Sequence, residues 1–381
     1  DIGLKHGLCF AKATVASFGE IGAKLPSFIR AFPSIIFFGT NAYVSSQALN
    51  ELFKIVFGFD NINIALALNI ILLVLLTMLG LKGIERFTKI VAPLLLIIGI
   101  YLAYLLFDSY QVSLGELMNM GGAEAGSKSW LYGISVAIGI FIMCSMGNND
   151  YTRDCVVDTK QKTWWGMNKN YTISTLIGII PFLTFFCLLG NCAVVLSGRT
   201  DVIVVFSELL MQKSKALAVI VDLFIVVAQF STNTSANLMP SAYVACDFIP
   251  KLKFKAGIIL VAVLAVICQP WSYYDYFDFV MNLFTVFTGP AISIMLVDYF
   301  VFRKRNYDVP ELYKKKGKYY YWHGVNIVAI LVYIISGLIG YFVDFDNSFF
   351  IATPIAAIAY FFAAKAFAHK MPVIADETKE S

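Results

Sequence analysis

Residues 228–243 read AQFSTNTSANLMPSAY, directly after the apolar run ALAVIVDLFIVV at 216–227. Ser231 to Ser235 set five polar side chains in a row inside a segment otherwise suited to hydrocarbon. Lys215 and Lys251 bound that segment, and Asn233 stands midway between them. At about 1.5 Å per residue the distance between the two lysines would be ~54 Å. That is too long for one straight crossing of a core about 30 Å thick, and Pro240 predicts a break. Polar groups this far from either basic end are costly in lipid, which points to function; interhelical hydrogen bonds are the structural alternative. Asn233 and Asn237 are spaced i, i+4, so their amides share one helix face, while Ser231 and Thr232 turn away from it. The amides suit a flat solute with alternating N–H and C=O groups. The two hydroxyls, with the backbone carbonyl of Ala228, suit a small dehydrated cation.

The rest of the chain sets this segment in a membrane. Hydrophobic residues make up 59% of it and charged residues 14%, against about a quarter charged in soluble domains. Apolar runs such as NIALALNIILLVLLTMLG and AGIILVAVLAVIC recur along its length. The pattern is that of an all-α, multi-pass integral membrane protein; the ~10-residue alternating segments of a β-barrel are missing. Ten spans are expected, at about 26–53, 61–80, 87–107, 130–149, 172–196, 215–237, 254–269, 279–302, 324–344 and 349–368. They form one polytopic domain over 1–381, with 371–381 as a tail. Assigning the N-terminal segment, the loops 82–89, 151–170, 251–255 and 303–318, and the C-terminus to one side collects 24 of the 29 Lys and Arg there. The positive-inside rule makes that side cytoplasmic, with both termini inside. It also accounts for the loop RKRNYDVPELYKKKGK at 303–318, for which anionic lipid headgroups are the alternative partner. The net charge of +4 implies no nucleic-acid partner.

Two further spans reach the same depth as Asn233. Asn41 lies 11 residues beyond Arg30, ~16 Å deeper along a helix, and Phe37 shares its face. Phe141 lies 11 residues beyond Trp130. Amides and rings at equal depth make a plausible solute site, although rings alone are ordinary packing. The stretch GNND at 147–150 can unwind the end of its span, as in broken transporter helices, or simply cap it. Asp222 is the one carboxylate well inside an apolar run, either a proton- or ion-carrying group or a residue that reaches an outer vestibule. The seven cysteines have no paired or metal-like spacing. His6, His323 and His369 all fall outside the spans, which removes any imidazole-based membrane enzyme. No enzymatic activity and no cofactor are expected.

These residues resemble the nucleobase–cation symporter-1 family, with the bacterial hydantoin and uracil/allantoin permeases as nearest kin within it. The likeness runs along nearly the whole chain. It is strongest in FGEIGAKLPSFIRAFPSIIFFGTNAY, VSLGELMNMGG, STNTSANLMPSAY, IMLVDYFVFRKR and LYKKKGKYYYWHGVN. The resemblance implies a twelve-helix fold whose first ten helices form two five-helix inverted repeats, and plasma-membrane location. This chain, opening Asp1-Ile2-Gly3, then begins just before the third of those helices, so ten of twelve are expected here. Carried over by position, Ala228, Ser231 and Thr232 look like sodium ligands, and Asn233 and Asn237 like substrate-facing amides. Asn41 stands where the family has a Gln, and Phe37 and Phe141 where its hydantoin carriers have two tryptophans. The smaller rings and absent indole N–H groups favour a small heterocycle of the uracil, allantoin or hydantoin class. The expected function is cation-coupled symport by alternating access. Proton coupling through Asp222 and a non-transporting substrate sensor are the alternatives.

Overall fold

The computed structural model describes residues 1–79, 81–120, 129–158, 160–161, 163–273 and 276–367. The expected tail at 371–381 lies outside these residues. Among them the regular structure is helical, with one isolated β-bridge between Trp322 and Val325. Two short helices, α1 (Ile2–His6) and α2 (Phe10–Phe18), lead into α3 (Lys24–Phe57), which ends at Gly58 in a left-handed conformation (φ 66°). Then come α4 (Ile62–Leu79), α5 (Leu81–Tyr110), the short α6 (Leu114–Asn119), α7 (Trp130–Met146), α8 (Asn148–Thr152) and α9 (Trp164–Ser197). The second half holds α10 (Val202–Lys213), α11 (Lys215–Asn233), α12 (Met239–Phe248), α13 (Phe254–Cys268), α14 (Phe277–Leu296), α15 (Ile327–Val343) and α16 (Ser348–Ala366). Each of the ten apolar stretches is covered by a helix. Among the described residues, seven segments are long and apolar enough to cross a membrane: α4, Val91–Tyr110 of α5, α9, Lys215–Phe248, Phe254–Ser272, Phe279–Phe302 and α16. Helix α15, at 17 residues, is shorter, and α3 carries Lys24, Arg30, Glu51 and Lys54 along its length.

The outward faces confirm the solvent these helices are built for. Leu75, Ile97, Ile177, Ile259 and Ile335, on five different helices, are all more than half exposed or nearly so, apolar exposure on a scale that suits lipid rather than water. Prolines 33, 93, 181 and 354 sit inside helices, as membrane helices allow when neighbours satisfy the freed carbonyls.

Helix α3 is the central post. It packs against α4, α10, α11, α12, α13 and α14, and its buried positions include the polar Arg30, Ser34, Ser45, Ser46, Asn50 and Glu51. With no hydrophobic drive between helices in lipid, such polar groups and close small-residue contacts hold the bundle. Asn69, fully buried on α4, donates to Ala42 O (2.8 Å) and Ser45 Oγ (2.5 Å) of α3. A second knot joins distant segments: Arg303 Nε donates to Asp298 Oδ2 (2.6 Å), Ser17 Oγ donates to the same oxygen (2.9 Å), and Arg303 Nη2 donates to Ala16 O (2.7 Å).

The break expected at Pro240 does not occur. The chain stays helical from Lys215 to Phe248, passing through a π-helical turn at Thr234–Leu238. In the wider turn the proline ring no longer meets the carbonyl four residues back, and Asn233, Thr234, Leu238 and Met239 all keep right-handed helical dihedrals. At the GNND stretch the interruption is real but small: α7 stops at Met146, Gly147 leaves helical geometry (φ −83°, ψ 10°), and α8 resumes at once.

Candidate functional site

The site is built on the π turn. Because its backbone bonds skip five residues instead of four, the turn widens where α11 meets α3, and Asn233 fits into the seam. Asn233 is fully buried; its Nδ2 donates to the carbonyl of Phe38 on α3 at 3.1 Å. Asn237 follows one turn on, and its Nδ2 donates to Asn233 Oδ1 at 2.8 Å. On the far side of the turn Thr77 of α4 donates to Thr234 Oγ1 at 3.3 Å. Both faces of the turn are therefore pinned to neighbouring helices.

The anchored carbonyl belongs to Phe38, on the turn of α3 that also carries Phe37 and Asn41. Asn41 and Phe37 are half-buried, and the Asn41 amide has no hydrogen-bond partner among the described residues. Phe141 comes in from α7. It is half-buried, and its neighbours Ile138 and Ile142 share a cluster with Phe37, Ile36 and Phe284. The structure ties Asn233 and Asn237 to the α3 turn at Phe38 and packs Phe37 in one cluster with Ile138 and Ile142 of α7. What remains uncommitted is Asn237 Oδ1 and the Asn41 amide: an acceptor, and a group that offers both N–H and C=O.

The candidate cation ligands are only partly drawn together. Ser231 is buried, and its hydroxyl donates to Ala228 O at 3.0 Å, leaving lone pairs on two adjacent oxygens. Thr232 is exposed, so its side chain points out of the packed interface. The Thr232 carbonyl accepts from Ser235 Oγ at 3.4 Å.

Asp222 is fully buried two turns and more before Ser231 on α11. Its Oδ2 accepts from Ser207 of α10 at 2.7 Å, and its Oδ1 has no partner among the described residues. The outer-vestibule placement expected as one option is therefore not seen.

Sequence reasoning missed three groups around the site. Asn69 and Thr77 hold α3 and the π turn from α4; each is a lone polar residue in an apolar run, the same signal that singled out Asn233. Arg30, noticed only as a depth marker, forms a buried ion pair with Asp150 (2.7 Å, side chains 3% and 5% exposed) across the α7–α8 interruption. Phe10 N donates to the other oxygen of Asp150 at 2.9 Å. The apolar recess between α4 and α13, about 320 Å³ and lined by Ile70, Val74, Ala262 and Val266 among others, faces lipid and lies away from these amides.

The polar seam inside an apolar helical bundle defines a multi-pass membrane carrier. Residues 1–363 match the family described as permease for cytosine/purines, uracil, thiamine and allantoin. The hydantoin permease of Microbacterium maritypicum is 30% identical over 336 residues, covering 87% of this chain and 68% of the relative. The allantoin permease of Bacillus subtilis (strain 168) is 26% identical, covering 94% and 78%. Among solved structures, Mhp1, a nucleobase-cation-symport-1 family transporter in a closed conformation with bromovinylhydantoin bound, superposes with a TM-score of 0.89 at 29% identity, covering 97% of this chain and 82% of Mhp1. The inward-facing conformation of Mhp1 gives 0.87. The chain belongs to this permease family; it is a nucleobase- or hydantoin-type membrane transporter and not an enzyme.

Proposed function

We propose that the protein is a cation-coupled symporter of a small planar heterocycle of the uracil, allantoin or hydantoin class, working by alternating access in the plasma membrane. Ten crossings of the twelve-helix inverted-repeat fold are assigned to this chain, with its basic loops and both of its ends on the cytoplasmic side. The observation that carries the reading is the relay Asn237→Asn233→Phe38 O. It fixes two amides against the α3 turn that bears Phe37 and Asn41, and leaves Asn237 Oδ1 and the Asn41 amide free to read an N–H/C=O edge. Phe37 and Phe141 supply apolar ring faces for a flat solute. The coupling ion in this reading is sodium, held by Ala228 O, Ser231 Oγ and, once its side chain turns in, Thr232. Ordering α11 around the ion also orders the π turn that presents the amides, so each ligand lowers the cost of binding the other, reciprocally.

Uptake of radiolabelled uracil, allantoin and hydantoin by proteoliposomes of the full-length protein, with and without a sodium gradient, tests this. Sodium-driven uptake of one compound supports it, and binding without uptake under any gradient points to a sensor instead. One observation favours a second reading with proton coupling. Asp222 is a carboxylate buried inside the Lys215–Phe248 span, one oxygen on the Ser207 hydroxyl and the other without a partner among the described residues, and ionisable groups in such positions mark proton or ion pathways.

A further inference from the structure

A groove of about 380 Å³ opens where the 321–325 turn meets the start of α15. Trp322, Val325, Val328 and Leu331 line it, and Phe367, just past α16, forms a wall. The polar atoms at its edge are already committed. Asn326 Nδ2 donates to Ser17 O (2.7 Å), its Oδ1 accepts from Ala329 N (3.3 Å), and Tyr321 O–H donates to Ala16 O (2.6 Å). The groove is therefore a predominantly apolar slot. Trp322 stands 65% exposed at its mouth and Leu331 52% exposed along it.

The loop 303–318, tied to the slot where Arg303 Nη2 donates to the Tyr321 hydroxyl at 2.8 Å, carries seven Lys and Arg against Asp308 and Glu311. Several of the seven are spent internally: Arg303 on Asp298, Arg305 on Asp1 (2.9 Å), and Lys314 on Glu311. Lys304, Lys315 and Lys316 remain exposed with no carboxylate partner among the described residues. Lys365, at the end of α16 two residues before Phe367, lies 5.7 Å from the Phe361 ring centroid and has no carboxylate partner among the described residues. An excess of lysine alone needs only a topology rule. An apolar slot with an exposed tryptophan at its mouth, joined through Arg303 and Phe367 to segments whose lysines have no carboxylate partner among the described residues, is the complement of a phospholipid with a negative headgroup.

We propose that this groove is a binding site for an anionic phospholipid, one acyl chain lying along Val328 and Leu331 and the headgroup met by the unpaired lysines of the loop and Lys365.

The test uses the full-length protein in phosphatidylcholine nanodiscs doped with brominated phosphatidylglycerol or, in parallel, brominated phosphatidylcholine. The Trp322 signal is isolated by subtracting the Trp322→Phe variant. Brominated phosphatidylglycerol is expected to quench it at several-fold lower mole fraction than brominated phosphatidylcholine. Lys315→Gln, Lys316→Gln and Lys365→Gln are each expected to weaken that preference about fivefold or less, and exposed lysines are neutral enough for the fold to survive. Equal quenching by the two lipids overturns the proposal and leaves ordinary boundary lipid. A preference that persists in the triple lysine variant overturns it as well, because the headgroup would then be read elsewhere.

Discussion

Asn237 leans on Asn233: its amide donates to Asn233 Oδ1 at 2.8 Å, and Asn233 hands the bond on to Phe38 O at 3.1 Å. The two amides look alike in the sequence, but the order of donation separates their roles. Asn233 has both its oxygen and one N–H committed, whereas Asn237 keeps its oxygen free. Asn237→Ala is therefore expected to abolish substrate binding with expression retained, at a stability cost of about 1 kcal/mol because the buried Asn233 Oδ1 loses its donor. Asn233→Ala should also lower stability by about 1–3 kcal/mol, since it leaves buried polar groups unpaired. Radioligand binding and thermal unfolding in detergent separate the two. Retained affinity in Asn237→Ala would sink the site assignment.

Arg30 and Asp150 form a buried pair over a glycine that exists to admit it. A Cβ on Gly147 would sit 1.9 Å from Arg30 Nη2, and the guanidinium cannot swing into water because it is only 2% exposed as a residue. Arg30→Ala is expected to cost about 3–5 kcal/mol by stranding the Asp150 charge. Gly147→Ala should cost a large part of the same amount, and the double variant little more than Arg30→Ala alone, since both act on one contact. Additive losses measured by thermal unfolding would show that Gly147 matters for another reason.

The sequence exposed the helical membrane class, the positions of the apolar segments and the face shared by Asn233 and Asn237, because each rests on local period or spacing. It could not show the π turn: a shift from four- to five-residue backbone bonding leaves no mark in residue type, and Pro240 read as a break for that reason. Nor could it pair Arg30 with Asp150, or Ser17 with Asp298 and Arg303. Those partners are far apart along the chain, and only the packing of α2, α3, α8 and α14 brings them together. Asn69 was legible and overlooked, being a single amide where Asn233 had a cluster around it.

His6 gives a pH signature outside the membrane spans. Burial pushes its imidazole down to about 4, with Lys5 and Arg305 adding charge repulsion against a hydrogen bond to the Arg305 carbonyl. The rings of Tyr299 and Tyr307 pack at 6.0 and 5.4 Å. A folded-state value below the unfolded one of about 6.5 means that the unfolded chain binds the proton more readily. The contribution of neutral His6 is therefore complete above about pH 6.5 and is lost as the pH falls toward 4. Partial exposure limits it to about 1–2 kcal/mol. Thermal unfolding of His6→Gln should show a shallower loss between pH 7 and 4.5 than the unchanged protein; parallel curves would exclude this role.

The coupling ion separates Ser231 and Thr232 from Asp222. Ser231 Oγ and Ala228 O stand 3.0 Å apart, a spacing at which two oxygens can share one cation, while the exposed Thr232 must turn inward to complete the set. If sodium draws Thr232 in, Thr232→Ala removes one ligand and the work of ordering it. The sodium concentration for half-maximal uptake should then rise about tenfold or more, equivalent to roughly 1.4 kcal/mol per tenfold. Ser231→Ala should do the same. Asp222→Asn keeps an oxygen for the Ser207 hydroxyl and removes only the titrating charge, so sodium-driven uptake is expected to survive it. Uptake measured in proteoliposomes under a sodium gradient and, separately, a proton gradient gives a clear division. Loss in Asp222→Asn with no change in Thr232→Ala would move the coupling site from the hydroxyls of the polar cluster to the buried carboxylate nine residues before Ser231, and make the ion a proton.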